Sequence, residues 1–356
     1  MPAKKLKTVS KKPRKSPRKT TKKKGASDSS ARRWARLASG AIALLVVLLS
    51  LLGSWYVHHP ADWLAEHDAF YTAPLHAFGD RIAMLTDGLG WTGHDAVYES
   101  DDPVPENQIF FAGAPERTGA PAPADIQILN RGNFAVGWSP SLRHPVWTAY
   151  HLPNTGHFKM EKLPSFQKDL SVATSPTPGE YARSGYERVP LVPPHAFATR
   201  FGPDELKKVF KMTTVAPFKP ALAHGAWHEI EQRISDLWSA KYGELWIVAG
   251  AIPAQENRST LPNTSIDIPE KYFMVVAAQT EDGVRAFAIV LPQTADRNLF
   301  PVHSLVTIDE LEEMTGLDFF PDLPKYLQKP LEADKPTRLW PIRFRDLMKL
   351  MLIRFT

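Results

Sequence analysis

The sequence predicts an α+β domain, a central antiparallel sheet with flanking helices, preceded by a single transmembrane helix. Three observations lead there. Short runs in which every second residue is apolar, such as Phe134 to Trp138 and Val146 to Leu152, alternate with turn-forming residues. Gly225 to Tyr242 instead carries Trp227, Ile230, Ile234, Leu237 and Trp238 at helical spacing. Leu37 to Val57 is a stretch of 21 residues without a charge, enough at ~1.5 Å per residue to cross about 30 Å of hydrocarbon.

The chain opens on residues 1–36, which hold 15 of its 43 Lys and Arg and one acidic residue, Asp28. Such a block repels itself and has little to bury, so it reads as a disordered cytoplasmic tail. The apolar span 37–57 follows, with Trp34, Trp55 and Tyr56 at its ends, where amphipathic rings favour the membrane interface. A cleaved signal peptide shares the charged start and apolar run, but no small-x-small cleavage site follows this one. The charge asymmetry places the amino end in the cytoplasm and the domain outside the inner or plasma membrane. Residues 58–125 read as juxtamembrane helices, over Ala61 to Met84 and broken near Pro74 and Gly79, and then a Pro- and Gly-rich linker over 97–125.

A folded domain is expected over 126–330. It starts with the two alternating runs as an antiparallel pair, joined through Ser139, Pro140 and Ser141. A loop rich in Pro, Ser and Thr covers about 153–195, and the amphipathic helix of Gly225 to Tyr242 comes next. Leu245 to Ala251, Tyr272 to Gln279 and Arg285 to Leu291 are apolar enough for interior strands. Ile308 to Met314 reads as a short helix capped by Thr307. Residues 331–356 read as a basic amphipathic helix, with Phe344, Leu347, Met348, Met351, Leu352 and Phe355 forming one stripe. That stripe suits an anionic membrane surface or a partner helix, and equally its own domain.

The composition removes several chemistries. With no Cys there is no disulfide scaffold, no thiolate metal site and no thiol nucleophile. The formal charge of +5 is the sum of two unlike parts. Residues 1–36 carry +14, leaving 28 basic against 37 acidic groups, a net of −9, for the rest. That deficit opposes strong nucleic-acid affinity, which relies on Lys and Arg displacing counterions from phosphate.

Three blocks carry a resemblance: SGYERVPLVPPHAFATRFG (184–202), MTTVAPFKPALAHGAWHEIE (212–231) and VTIDELEEMTGLDFFPDLP (306–324), flanked by NRGNFAVGWSPSLRHPVWTAYHL (130–152). Together they resemble the DNA/RNA non-specific endonucleases, the ββα-metal or His-Me-finger group. The resemblance implies an endonuclease-like fold and phosphodiester hydrolysis on either nucleic acid. It implies a His general base in an Asp-Arg-Gly-His motif and an Asn that holds one Mg²⁺. It also implies an Arg that stabilises developing negative charge, and a Glu that orders the metal's water shell.

The motif is altered where the chemistry sits. Asp-Arg-Gly-His reads Glu187, Arg188, Val189, Pro190 here, and the metal-holding Asn is Ala223. A further family Asn aligns with Thr214, and a family Gln with Phe218. Arg188, Glu231 and the acid Glu187 keep a functional character. Proline has no titratable group, so the expectation is a catalytically degenerate domain that needs no cofactor and serves as a weak nucleic-acid-binding or interaction module. The competing expectation is an active metal-dependent phosphodiesterase whose base is His195 or His224. Such an enzyme would need Mg²⁺ or another divalent metal, and His224, His228 and Glu231, at i, i+4 and i+7, suit Zn²⁺ or Mn²⁺; the same three residues also suit a plain solvent-facing helix surface. Lys207, Lys208 and Lys211 form a small basic cluster that suits either phosphate contact or a solvated helix face.

Overall fold

The computed structural model describes residues 109–154, 158–159, 162–281 and 283–346, together with residues 48, 88–90, 95, 97, 98 and 349. The basic tail, the span 37–57 and the juxtamembrane helices of 61–84 lie outside the described residues, save Leu48. No helix among the described residues is long and apolar enough to cross a membrane.

A seven-stranded antiparallel sheet organises the domain. The strands are β2 (Gln127–Asn130), β3 (Phe134–Ser139), β4 (His144–Leu152), β7 (Leu245–Pro253), β8 (Pro269–Thr280), β9 (Gly283–Pro292) and β10 (Leu305–Val306), in the spatial order β10-β9-β8-β7-β4-β3-β2. The alternating runs form the expected pair, with Phe134 opposite Tyr150 and Val136 opposite Thr148. Side chains on successive residues point to opposite faces, and both faces are covered. Phe134, Val136 and Trp138 enter one core, and Ala135 enters the other. The three apolar runs 245–251, 272–279 and 285–291 are consequently buried on both sides. Gly137 has no side chain because the Trp147 ring lies against it: a Cβ there would come within 2.3 Å of the indole.

The first face carries α1 (Pro194–Phe201), α2 (Pro203–Val209), α3 (Pro220–Ala223) and α4 (Ala226–Gln232), which runs on through a π-helical turn (Arg233–Trp238) into α5 (Ser239–Tyr242). The second face carries α6 (Ile308–Thr315) and α7 (Lys325–Ala333). Thr307 caps α6 as expected: its hydroxyl accepts from the Glu310 amide at 2.9 Å, and Glu310 accepts in return from the Thr307 amide at 2.9 Å.

Packing passes both expected boundaries of the domain. Residues 97–125 are not a linker throughout. Phe111 is buried against Trp246 and Phe320, at 5.4 and 5.6 Å between ring centroids. Strand β1 (Glu116–Arg117) pairs with β11 (Leu317–Asp318). A few apolar residues embedded in Pro- and Gly-rich sequence suffice to anchor a segment that composition alone marks as loop. At the other end, 330 falls inside α7, whose Leu331 is buried.

Arg338 to Ile342 is not helical. It is an extended strap that buries Leu339, Trp340 and Ile342 in the first core. The Trp238 indole donates to the Trp340 carbonyl at 2.7 Å, and Lys241 and Tyr242 both donate to the Pro341 carbonyl, at 2.9 and 2.7 Å. Pro341 has no amide hydrogen for a helical bond, which favours this extended path. The strap therefore docks on its own domain, while Phe344 is 77% exposed and residues 347, 348 and 350–356 lie outside the described residues.

Candidate active site

The altered motif forms a hairpin. Strand β5 (Glu187–Pro190) pairs with β6 (Val215–Phe218), setting Glu187 opposite Phe218 and Pro190 opposite Val215. The second strand carries Pro217 within it and ends at Phe218, and Pro220 starts α3. Gln293 clamps this corner: it donates to the Pro217 carbonyl at 2.8 Å and accepts from the Lys219 amide at 2.9 Å. The Tyr272 hydroxyl donates to the same carbonyl, and its ring stacks on Phe218 at 3.7 Å. Phe218, at the family's Gln position, is thus a core residue, packed also on the buried Trp227 at 4.9 Å.

Two strands followed by α3 and α4 bring the two altered positions to one face of the sheet. Pro190 is buried, and Ala223 is 8% exposed and part of the apolar core. Neither offers a donor atom for a metal or a site for a proton. Thr214 is buried too, and its hydroxyl donates to the carbonyls of Val209 at 2.6 Å and Lys211 at 2.8 Å. That position ties down a turn.

Glu231 is the retained carboxyl. Its Oε1 has no exposed surface and no hydrogen-bond partner among the described residues. Burial pushes its pKa up to about 8, an effect partly offset by the neighbouring Trp227 indole. Burial and then the nearby Glu231 raise the Tyr150 phenol in the same way. With proline at the base position and alanine at the metal ligand, the centre keeps only this one carboxyl. The residues present do not fit the family's Mg²⁺ at this position.

The expected ligand trio does not assemble. His224 caps the end of α3, and Gly225 separates it from α4, so the i, i+4, i+7 register of one continuous helix does not hold. Among the described residues, the three ligand atoms do not come within 4.8 Å of one another. The exposed His224 instead meets Glu187 across the hairpin, with Nε2 2.9 Å from Oε2 and 3.0 Å from Oε1. His195 opens α1 and faces Asp236 on the π-helical turn at 3.6 Å; the hydrogen bond to Asp236 raises its pKa despite partial burial. Burial, then His224 and His195, depress that of His228. The three imidazoles thus share one neighbourhood, two of them with their own carboxylate.

The lysine cluster is neutralised locally. Lys207 pairs with Asp204 at 2.8 Å and Lys208 with Glu205 at 2.5 Å, both one turn back on α2, and Lys211 donates to Gln167 at 2.8 Å. Arg188 is more available. It is exposed, donates to the Pro178 carbonyl at 3.3 Å and lies 5.1 Å over the Phe166 ring. It lines a cleft of about 360 Å³ with Phe166, Pro178, Tyr181, Tyr186 and Glu187. A larger cleft of about 730 Å³, beside Tyr242 and Gln279, shares no lining residue with it. Sequence reading had missed Phe166 and Tyr181, since only tertiary contact sets them beside the motif; Tyr186 adjoins Glu187 and was legible there.

Residues 112–326 match the family model of the DNA/RNA non-specific endonucleases. The chain belongs to the DNA/RNA non-specific endonuclease family. It is 25% identical over 222 residues to a nuclease of Nostoc sp., covering 59% of this chain and 78% of that protein. It is 24% identical over 239 residues to mitochondrial endonuclease G of Bos taurus, covering 60% and 79%. A nuclease of Serratia marcescens is 26% identical over 223 residues, covering 59% and 80%. The fold agrees: a chain in the crystal structure of the EndoG/EndoGI complex superposes with a TM-score of 0.51 at 17% identity, covering 56% of this chain and 87% of its own.

Proposed function

We propose that this member of the endonuclease family does not hydrolyse nucleic acid at the family's centre and acts as a weak binding module for its phosphate backbone. The observation that carries this is the pair Pro190 and Ala223, both packed into the domain where the family places its base and its metal ligand. Losing a general base costs about 10²–10⁴ in rate, and losing the metal's Lewis acidity at the same centre compounds it. What survives is a recognition surface. Arg188 supplies a guanidinium for phosphate, and Phe166 and Tyr186, half-buried, supply apolar walls beside it.

One observation favours a second reading, a relocated base: the His224 and Glu187 pair is oriented as a carboxylate-steadied imidazole. One experiment separates the two. The full-length chain, incubated with plasmid DNA and with RNA in Mg²⁺, Mn²⁺ or Zn²⁺, is expected to leave both intact. Labelled oligonucleotide is expected to bind with Kd on the order of 10⁻⁵ M at physiological salt, roughly tenfold weaker for Arg188→Ala. Cleavage that vanishes in the His195→Ala/His224→Ala double variant would overturn the first reading and establish the second.

We infer that the module faces the outer side of the inner or plasma membrane. The uncharged run 37–57 and the +14 of residues 1–36 support this. External protease added to spheroplasts is expected to digest the domain; a domain degraded only after lysis would refute that topology.

A further inference from the structure

On the second face of the sheet, away from the hairpin, three carboxylates converge. Asp309 and Glu312 sit one turn apart on α6, and Glu332 comes from α7. One ligand oxygen from each lies within 4.8 Å of the others. Two oxygens bound to one hard cation at 2.3–2.6 Å can be no farther apart than about 4.6–5.2 Å, so this spread matches a shared coordination sphere.

The electrostatics are unbalanced. Asp318 adds a fourth negative charge nearby, and among the described residues no Lys or Arg pairs with Asp309, Glu312 or Glu332. Lys335 reaches Glu310 instead, at 3.4 Å. The backbone amide of Phe319 donates to Glu312 at 2.8 Å and fixes its orientation. Glu332 is only 6% exposed, its carboxylate is aimed at Asp309 and Glu312, and its Oε1 has no hydrogen-bond partner among the described residues. A buried acceptor left unmatched costs free energy comparable to a lost hydrogen bond, more if charged. A divalent cation answers each of these features. It supplies the missing charge, occupies the unpartnered oxygen and gives three carboxylates a reason to face one another.

We propose that Asp309, Glu312 and Glu332 form a site for a hard divalent cation, of the calcium type, that ties α6 to α7. The all-oxygen donor set selects Ca²⁺, Mg²⁺ or Mn²⁺ over softer metals. Ca²⁺ suits it best, because it accepts irregular geometry and fills its remaining positions with water through the exposed Asp309 side. This site is structural and independent of phosphate binding at Arg188.

The test is thermal unfolding of the metal-stripped, full-length chain with CaCl₂, MgCl₂, MnCl₂, or NaCl at matched ionic strength. At a Ca²⁺ concentration about a hundredfold above Kd, Tm is expected to rise by roughly 5 °C. Glu332→Gln and Asp309→Asn, both isosteric, are expected to abolish the rise, and His224→Ala to keep it. If Glu332→Gln does not fold, the exposed Asp309→Asn carries the test. No rise beyond the NaCl control, or an equal rise in Asp309→Asn, would overturn the site.

Discussion

Replacing Arg233 by Met is expected to cost about 3–5 kcal/mol of stability, far more than the loss of a surface charge. Arg233 and Glu229 are one helical turn apart at the end of α4. The guanidinium reaches Glu229 Oε1 through Nε at 3.0 Å and Nη2 at 2.8 Å, and both side chains are nearly inaccessible. Removing Arg233 takes from the desolvated Glu229 the guanidinium that contacts it at 2.8 Å. Replacing both, as Glu229→Met/Arg233→Met, exchanges two desolvated ions for apolar volume and is expected to fall within about 1 kcal/mol of the original or above it. Chemical denaturation of the three variants checks this. Equal destabilisation by the single and double changes would show that side-chain packing, not the charge deprived of its guanidinium, sets the cost.

Glu231→Gln is expected to stabilise the protein at pH 8 by roughly 2–4 kcal/mol while changing little at pH 4.5. The sign follows from linkage. An ordinary Glu releases its proton near pH 4.5 in the unfolded chain, whereas folded Glu231 holds it to about pH 8. Between these values the folded state binds the extra proton, so stability falls as pH rises across that window. Glutamine keeps the shape and removes the titration. Glu312 and Glu332 slope the same way, so the difference between the original chain and Glu231→Gln, measured across pH, isolates the one carboxyl. A pH-independent difference would mean that Glu231 stays ionised, reopening it as a support for a cation.

Much of the fold was legible along the chain. Alternation at Phe134 to Trp138 and Val146 to Leu152 matches a real antiparallel pair, because successive side chains of a strand point to opposite faces, here into two different cores. Thr307 with Glu310 marks the start of α6 through a hydrogen-bond exchange only three residues long. The amphipathic stretch after Gly225 is helical, although the π-helical turn at Arg233–Trp238 was not visible in its spacing. The site was legible only in part. The identities at 188, 190, 223 and 231 mark what is kept and what is replaced, but spacing misled at His224. It assumed one helix through Gly225, where the chain turns between two, and the imidazole found Glu187 instead.

The sequence by itself determined the strands, the capped helix, the absence of thiol chemistry, and the proline and alanine standing where the family's base and metal ligand belong. These depend on residue type and near-neighbour periodicity, which are written locally. Tertiary structure alone decided that Glu231 is buried with its Oε1 unpartnered among the described residues, that the strap at Trp340 closes on Trp238, and that carboxylates from α6 and α7 converge. Each of these joins residues on separate elements. Desolvation and charge pairing act through distance in space, and the folded chain sets those distances.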